Sequence, residues 1–96
     1  QEAFLNDVKE KGKQLREGIQ KINDPRVKEI RGRGLLIGVE FSAEVKELIN
    51  ICMKKGLLLV GAGTNVVRFV PPLTINQTEI NQALAIFREA LKEWDA

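Results

Sequence analysis

The run Val66-Val-Arg-Phe-Val70 is rich in β-branched residues and lies between a glycine-bearing loop, Gly61 to Asn65, and the pair Pro71-Pro72. Neither proline can donate a ladder hydrogen bond, and the residue before a proline is driven towards extended backbone, so this segment reads as a strand that stops at Pro71. Alternation along it puts Val66, Arg68 and Val70 on one face and Val67 and Phe69 on the other. Both faces are then largely apolar, and such a strand expects cover on both sides. Arg68 is the exception within it. A guanidinium here either snorkels past its own methylenes or pairs with a carboxylate of the chain, or else it is a clamp for a ligand carboxylate, where a planar fork of donors binds bidentately.

The segments around this strand narrow the architecture. Phe4, Leu5, Val8, Gly12, Leu15, Ile19 and Ile22 recur at three- and four-residue steps, which predicts a helix from about Glu2 to Ile22, stopped by Asn23-Asp24-Pro25. Two extended segments follow, Val27 to Arg31 and Leu35 to Phe41, with Gly32-Arg33-Gly34 as the turn between them. Ser42 is the expected N-cap of a second helix whose stripe is Val45, Leu48, Ile49, Cys52 and Met53, and Lys54, Lys55 and Gly56 close it. Leu57 to Val60 reads as a further strand, ahead of the loop and Val66 to Val70. A last helix starts near Asn76 with Glu79 as its capping-box partner, and it turns Ile80, Ala83, Leu84, Phe87, Leu91 and Trp94 inward. The expected fold is α+β, one domain over residues 1–96, with a mainly antiparallel sheet of about four strands and three helices in the order α-β-β-α-β-β-α. Strand order stays open.

Residue inventory removes whole classes of function. The chain has 96 residues, one cysteine and no histidine or tyrosine, so an internal disulfide, a Cys/His zinc site and a Ser-His-Asp triad are all ruled out. With 44% hydrophobic and 29% charged residues and a net charge of +2, it has neither the basic excess of a nucleic-acid binder nor an apolar run of membrane-spanning length. No signal-peptide pattern opens it, and a reducing, cytoplasmic location is expected. Gly32, Gly34 and Gly38 resemble a dinucleotide loop only superficially, because that loop leads into a helix and Leu35 to Phe41 reads as strand. Asn76-Gln77-Thr78 reads as a cap rather than a glycosylated sequon, Cys52 as a core residue, and Arg31 and Arg33 as solvated charges. No catalytic, metal-binding or cofactor-binding residue is assigned.

The combination VKEIRGRGLLIGVEF, KKGLLL and TNVVRFVPPLTI, followed by a helix opening on Glu79-Ile80, resembles the C-terminal small domain of the class III pyridoxal-phosphate aminotransferases, nearest their acetylornithine subgroup. The resemblance implies a homodimeric enzyme in which this domain packs on a large cofactor-binding domain and helps close the active site. It implies that Arg68 receives a substrate carboxylate, that of 2-oxoglutarate in particular, and that Gly32 and Gly34 are turn glycines. The parent reaction so implied is amino transfer between N-acetylornithine and 2-oxoglutarate in arginine biosynthesis; ornithine, succinylornithine or 4-aminobutyrate as donor, and a stand-alone non-catalytic module, are the alternatives. The large domain supplies the cofactor lysine and the phosphate cup, and neither Lys46, Lys54 nor Lys55 inherits that role. The chain alone is therefore expected to bind no cofactor and to transaminate nothing. A start at Gln1, already within a helix pattern, is expected for a fragment, and its uncovered apolar surface is expected to drive self-association.

Overall fold

The computed structural model describes residues 2–96. The first helix, α1 (Glu2–Ile22), buries Gly12, Leu15 and Ile19 on its inner stripe. Phe4 and Leu5, expected on that stripe, are 48% and 59% exposed. Their exposure follows from where the helix touches the sheet: Val8 and Gly12 meet the chain turn at Gly34, so the first turn of α1 projects past the hairpin.

That hairpin joins β1 (Val27–Arg33) to β2 (Leu36–Phe41) through the two residues Gly34 and Leu35. Gly34 has φ of +60°, a conformation only glycine adopts without strain, and it fulfils the expected turn role. Gly32 does not. It belongs to β1, opposite Ile37, and its lack of a side chain makes room for Ile37 Cδ1, which would stand 2.6 Å from a Cβ there. A register shift between Val27 and Glu29 bulges the start of β1.

The second helix, α2, runs Lys46–Lys54, four residues after Ser42, and Ser42 caps nothing. The intervening backbone is held by tertiary bonds instead: Ser42 N–H donates to Arg26 O and Val45 N–H to Thr64 O. Leu48 and Cys52 face the core, whereas Met53, also assigned to the stripe, is 52% exposed. Leu57 to Val60 is not a four-residue strand. The only ladder there is β3 (Val60–Gly61), because Leu57 N–H is taken by Cys52 O at the helix end and residues 57–59 run unpaired to the sheet edge. The central strand β4 (Val66–Phe69) stops one residue before the expected Val70.

The third helix, α3 (Gln77–Glu93), opens with the expected capping box: Asn76 Oδ1 accepts from Glu79 N–H at 2.8 Å and Glu79 Oε1 accepts from Asn76 N–H at 3.0 Å. Asn76→Ala should lower the thermal midpoint by about 5 °C, the scale for a cap worth ~1 kcal/mol in a chain this size, as read by circular dichroism.

The element order is α-β-β-α-β-β-α, and the four strands form an antiparallel sheet in the order β1-β2-β4-β3. The inward side chains of the inner strands are Ile37, Val39 and Phe41 on β2 and Val67 and Phe69 on β4, all buried against the helices. Edge-on contacts between Phe41, Phe69, Phe87 and Trp94, with centroids 4.9 to 6.4 Å apart, tie sheet to α3. Trp94 lies in the core as expected, at the C-cap of α3. Cover on both sides of β4 was expected, and the structure provides it on one. The second face of the sheet, with Leu36, Gly38, Glu40, Val66 and Arg68, carries no helix among the described residues, and Leu36 is 63% exposed there.

Candidate functional site

The register of the sheet builds the candidate site on this open face. Arg31 of β1 lies opposite Gly38 of β2, and Gly38 lies opposite Arg68 of β4. Cross-strand neighbours on one face stand about 5 Å apart at Cβ, so the two arginines flank a bare stretch of β2 backbone with about 10 Å between their stems. A shallow hollow of about 430 Å³ lies here, lined by Arg31, Arg33, Leu36, Gly38, Val66 and Arg68 among others.

The two flanking arginines differ in charge balance. Arg31 Nη2 donates to Glu40 Oε1 at 2.7 Å, and Glu29 Oε2 lies 3.8 Å from its Nη1. Arg68 is exposed and, among the described residues, forms no ion pair or hydrogen bond through its guanidinium. Of the three explanations for an arginine in this strand, pairing with a carboxylate of the chain is thereby removed, and snorkelling and the clamp remain. Arg31, expected as a merely solvated charge, is a paired one. Glu40 as its partner was not read from sequence, since the two face each other only once β1 and β2 are in register.

Elsewhere the chain offers little chemistry. A more apolar hollow of about 440 Å³ lies between Leu57, Leu58, Pro71-Pro72 and α3, and its charged group, Glu79, is committed to the capping box. Cys52 is buried, and burial pushes its thiol up to about 11, the opposite of what a nucleophile needs. Lys46 and Lys54 are exposed, and Lys55 is paired with Glu93. Among the described residues there is no buried charged side chain, no cluster able to hold a metal ion, and no helix long and apolar enough to cross a membrane. No lysine among the described residues is buried, and these residues do not fit a pyridoxal-phosphate site of their own.

Comparison with known proteins supplies the family. The family profile described as aminotransferase class-III matches residues 1–91. An acetylornithine aminotransferase of Clostridium acetobutylicum is 51% identical over 78 residues, which are 81% of this chain and 19% of that protein. Its counterpart from Caldanaerobacter subterraneus is 42% identical over 96% of this chain and 24% of its own length. Among solved structures, a lysine aminotransferase from M. tuberculosis superposes with a TM-score of 0.88 at 32% identity, over 96% of this chain and 22% of that one. The N-acetylornithine aminotransferase of Stenotrophomonas maltophilia gives 0.87 at 31% identity, over 97% of this chain and 27% of its own. The chain thus spans about a quarter of the length of the relatives it matches, and it belongs to the class-III aminotransferase family.

Proposed function

We propose that this chain is the small domain of an acetylornithine aminotransferase, in which Arg68 binds a carboxylate of the substrate and the open sheet face closes over the active site. The observation that carries the reading is the contrast within one row of side chains: Arg31 is neutralised by Glu40 while Arg68 keeps its donors available. A guanidinium on the open face, beside apolar Val66, offers a carboxylate two parallel charge-assisted hydrogen bonds. The parent reaction is amino transfer from N-acetylornithine to 2-oxoglutarate, a step of arginine biosynthesis, in an enzyme that works as a homodimer. Pyridoxal phosphate, which serves this family as the electron sink, would be held by residues outside this chain. The chain's own part is binding, orientation and exclusion of water, and by itself it is inactive.

The amino donor rests on the names of the relatives. A second reading, with the same clamp and a different donor such as lysine, is favoured by the equally close superposition on the M. tuberculosis lysine aminotransferase. Steady-state kinetics of the complete polypeptide with N-acetylornithine, ornithine and lysine in turn separate the two. In that polypeptide Arg68→Lys keeps the charge and loses the fork, and it should raise KM for 2-oxoglutarate about 10- to 100-fold, the equivalent of about 1.5–3 kcal/mol. The thermal midpoint should stay in place, since among the described residues the Arg68 guanidinium holds no hydrogen bond or ion pair and lysine keeps the aliphatic stem. Unchanged kinetics for the dicarboxylate half-reaction would refute the clamp.

A further inference from the structure

Gly38 occupies the middle of β2, an inner strand, and among the described residues nothing requires a glycine there. Its φ is not positive; among the glycines only Gly34, Gly56 and Gly63 have that conformation. A Cβ built on it would find its nearest neighbours, Arg31 Cγ, Arg31 O and Val66 Cγ1, at 3.9 Å, an ordinary contact distance. Gly32 and Gly12 are different, with atoms at 2.6 Å and 1.9 Å from the same construction. An inner strand favours β-branched residues, and glycine there loses backbone entropy and packs no side chain. The fold is weaker for having it. A strand glycine that neither φ nor packing explains marks a place where something outside the chain approaches the backbone closely.

The surroundings select what approaches. Arg31 and Arg68 stand on either side of Gly38 with long side chains, which hold off another polypeptide backbone but admit a slender ligand between them. We propose that Gly38 is a specificity-determining residue: it is the floor of the carboxylate site, against which the unbranched carbon chain of a dicarboxylate lies while Arg68 holds one carboxylate. The inference rests on the reading of Arg68 as a clamp and adds the selection of substrate shape. A side chain at 38 would lift the carbon chain off β2 and draw the carboxylate away from the fork.

The test uses the complete polypeptide with Gly38→Ala, Gly38→Val and Arg68→Lys, measuring KM and kcat for 2-oxoglutarate, the Kd of glutarate and the thermal midpoint. Gly38→Ala should raise KM and Kd about tenfold and Gly38→Val further, the scale for one or a few misplaced carbons in a fitted pocket. kcat should change little, and the midpoint should hold or rise, because both residues suit a strand better than glycine. Unchanged KM and Kd in both Gly38 variants overturn the inference, and if Arg68→Lys still raises KM the clamp survives without it. A fall in midpoint accompanying the KM change also overturns it, because a protein surface packed on Gly38 would lose stability where a ligand site would not. An effect in the Gly38 variants with none in Arg68→Lys removes the clamp and this inference together.

Discussion

Gly12→Ala is expected to lower the thermal midpoint of the 96-residue chain by about 10–15 °C, although alanine is the better helix former. A Cβ at position 12 would stand 1.9 Å from the carbonyl oxygen of Gly34 and 2.8 Å from its carbon. Those atoms are backbone in a two-residue turn whose own glycine sits at φ of +60°, so they have no rotamer to retreat into. The helix must move instead, and α1 is anchored within the same face by Leu15 and Ile19, both buried. Overpacking of this kind costs about 1–3 kcal/mol and sometimes more, while the gain in helix propensity returns about 1 kcal/mol. A 1.9 Å approach to backbone belongs at the upper end of that cost, so the net loss is about 2 kcal/mol, or roughly 8–16 °C in a domain of this size. Gly18→Ala is the control on the same helix. There the nearest atom is Leu84 Cδ1 at 2.4 Å, the end of a flexible side chain that can rotate away, so its midpoint should change by only a few degrees. Equal effects at the two positions, or no loss at Gly12, would remove the helix-to-turn contact as a determinant of the fold.

The pair Gly12 and Gly34 also shows what local pattern can and cannot disclose. Position 12 falls on the inward stripe of α1 by spacing alone, yet the reason for a glycine there lies in a turn 22 residues away. Element order followed from periodicity because each of the three helices and the strands of the hairpin carries its own repeat. Where neighbours decide the backbone, as at residues 42–45 held by Arg26 O and Thr64 O, local capping chemistry misled. The same holds for Leu57 to Val60, whose composition suits a strand but whose backbone groups have no long partner at the sheet edge. Arg68 was legible because alternation isolates a charge among β-branched residues. Its bare neighbour Gly38 and the neutralising Glu40 were not, since register joins them to Arg68 and Arg31 and no pairwise signal in one sequence carries register. Cover on one face rather than two follows from the same limit: apolar valines describe a strand's neighbours only when its place in the sheet is known.

Arg26→Ala should destabilise the chain by about 3 kcal/mol, and the deficit should shrink in acid. Arg26 joins the start of the hairpin to the end of α3. Its Nε and Nη2 donate to the two oxygens of Asp24 at 2.9 and 2.7 Å, and its backbone N–H donates to Asp24 Oδ1 at 2.8 Å. The same guanidinium donates to Trp94 O and Leu91 O, both at 2.6 Å, and lies 4.5 Å from the Trp94 ring centroid. Carbonyls of the last helical turn have no partner within a helix, so this side chain satisfies two acceptors that would otherwise be orphaned. Truncation strands them and leaves the Asp24 side chain, only 10% exposed, without its counter-charge. A single charge-assisted bond is worth about 1.5–3 kcal/mol, and water at the rim of the site recovers part of several such losses, which sets the figure near 3 kcal/mol and roughly 12–24 °C in midpoint. Hydrogen bonding to the Arg26 side chain, against the opposing effect of burial, holds the Asp24 carboxyl below its usual value. A depressed carboxyl contributes stability above its unfolded pKa, near 4, and that contribution disappears as pH falls through the folded value. Between pH 7 and pH 4 the difference between wild type and Arg26→Ala should therefore be constant. Below pH 4 it should narrow without vanishing, because the bonds to Trp94 and Leu91 do not titrate. Arg26→Lys, which keeps the charge and cannot span all of these oxygens, should fall between the two proteins at pH 7. Thermal midpoints at pH 7, 4 and 2.5 decide it: a difference that stays level into acid would sever Asp24 from the latch, and a loss under about 1 kcal/mol at pH 7 would mean that the end of α3 stands without Arg26.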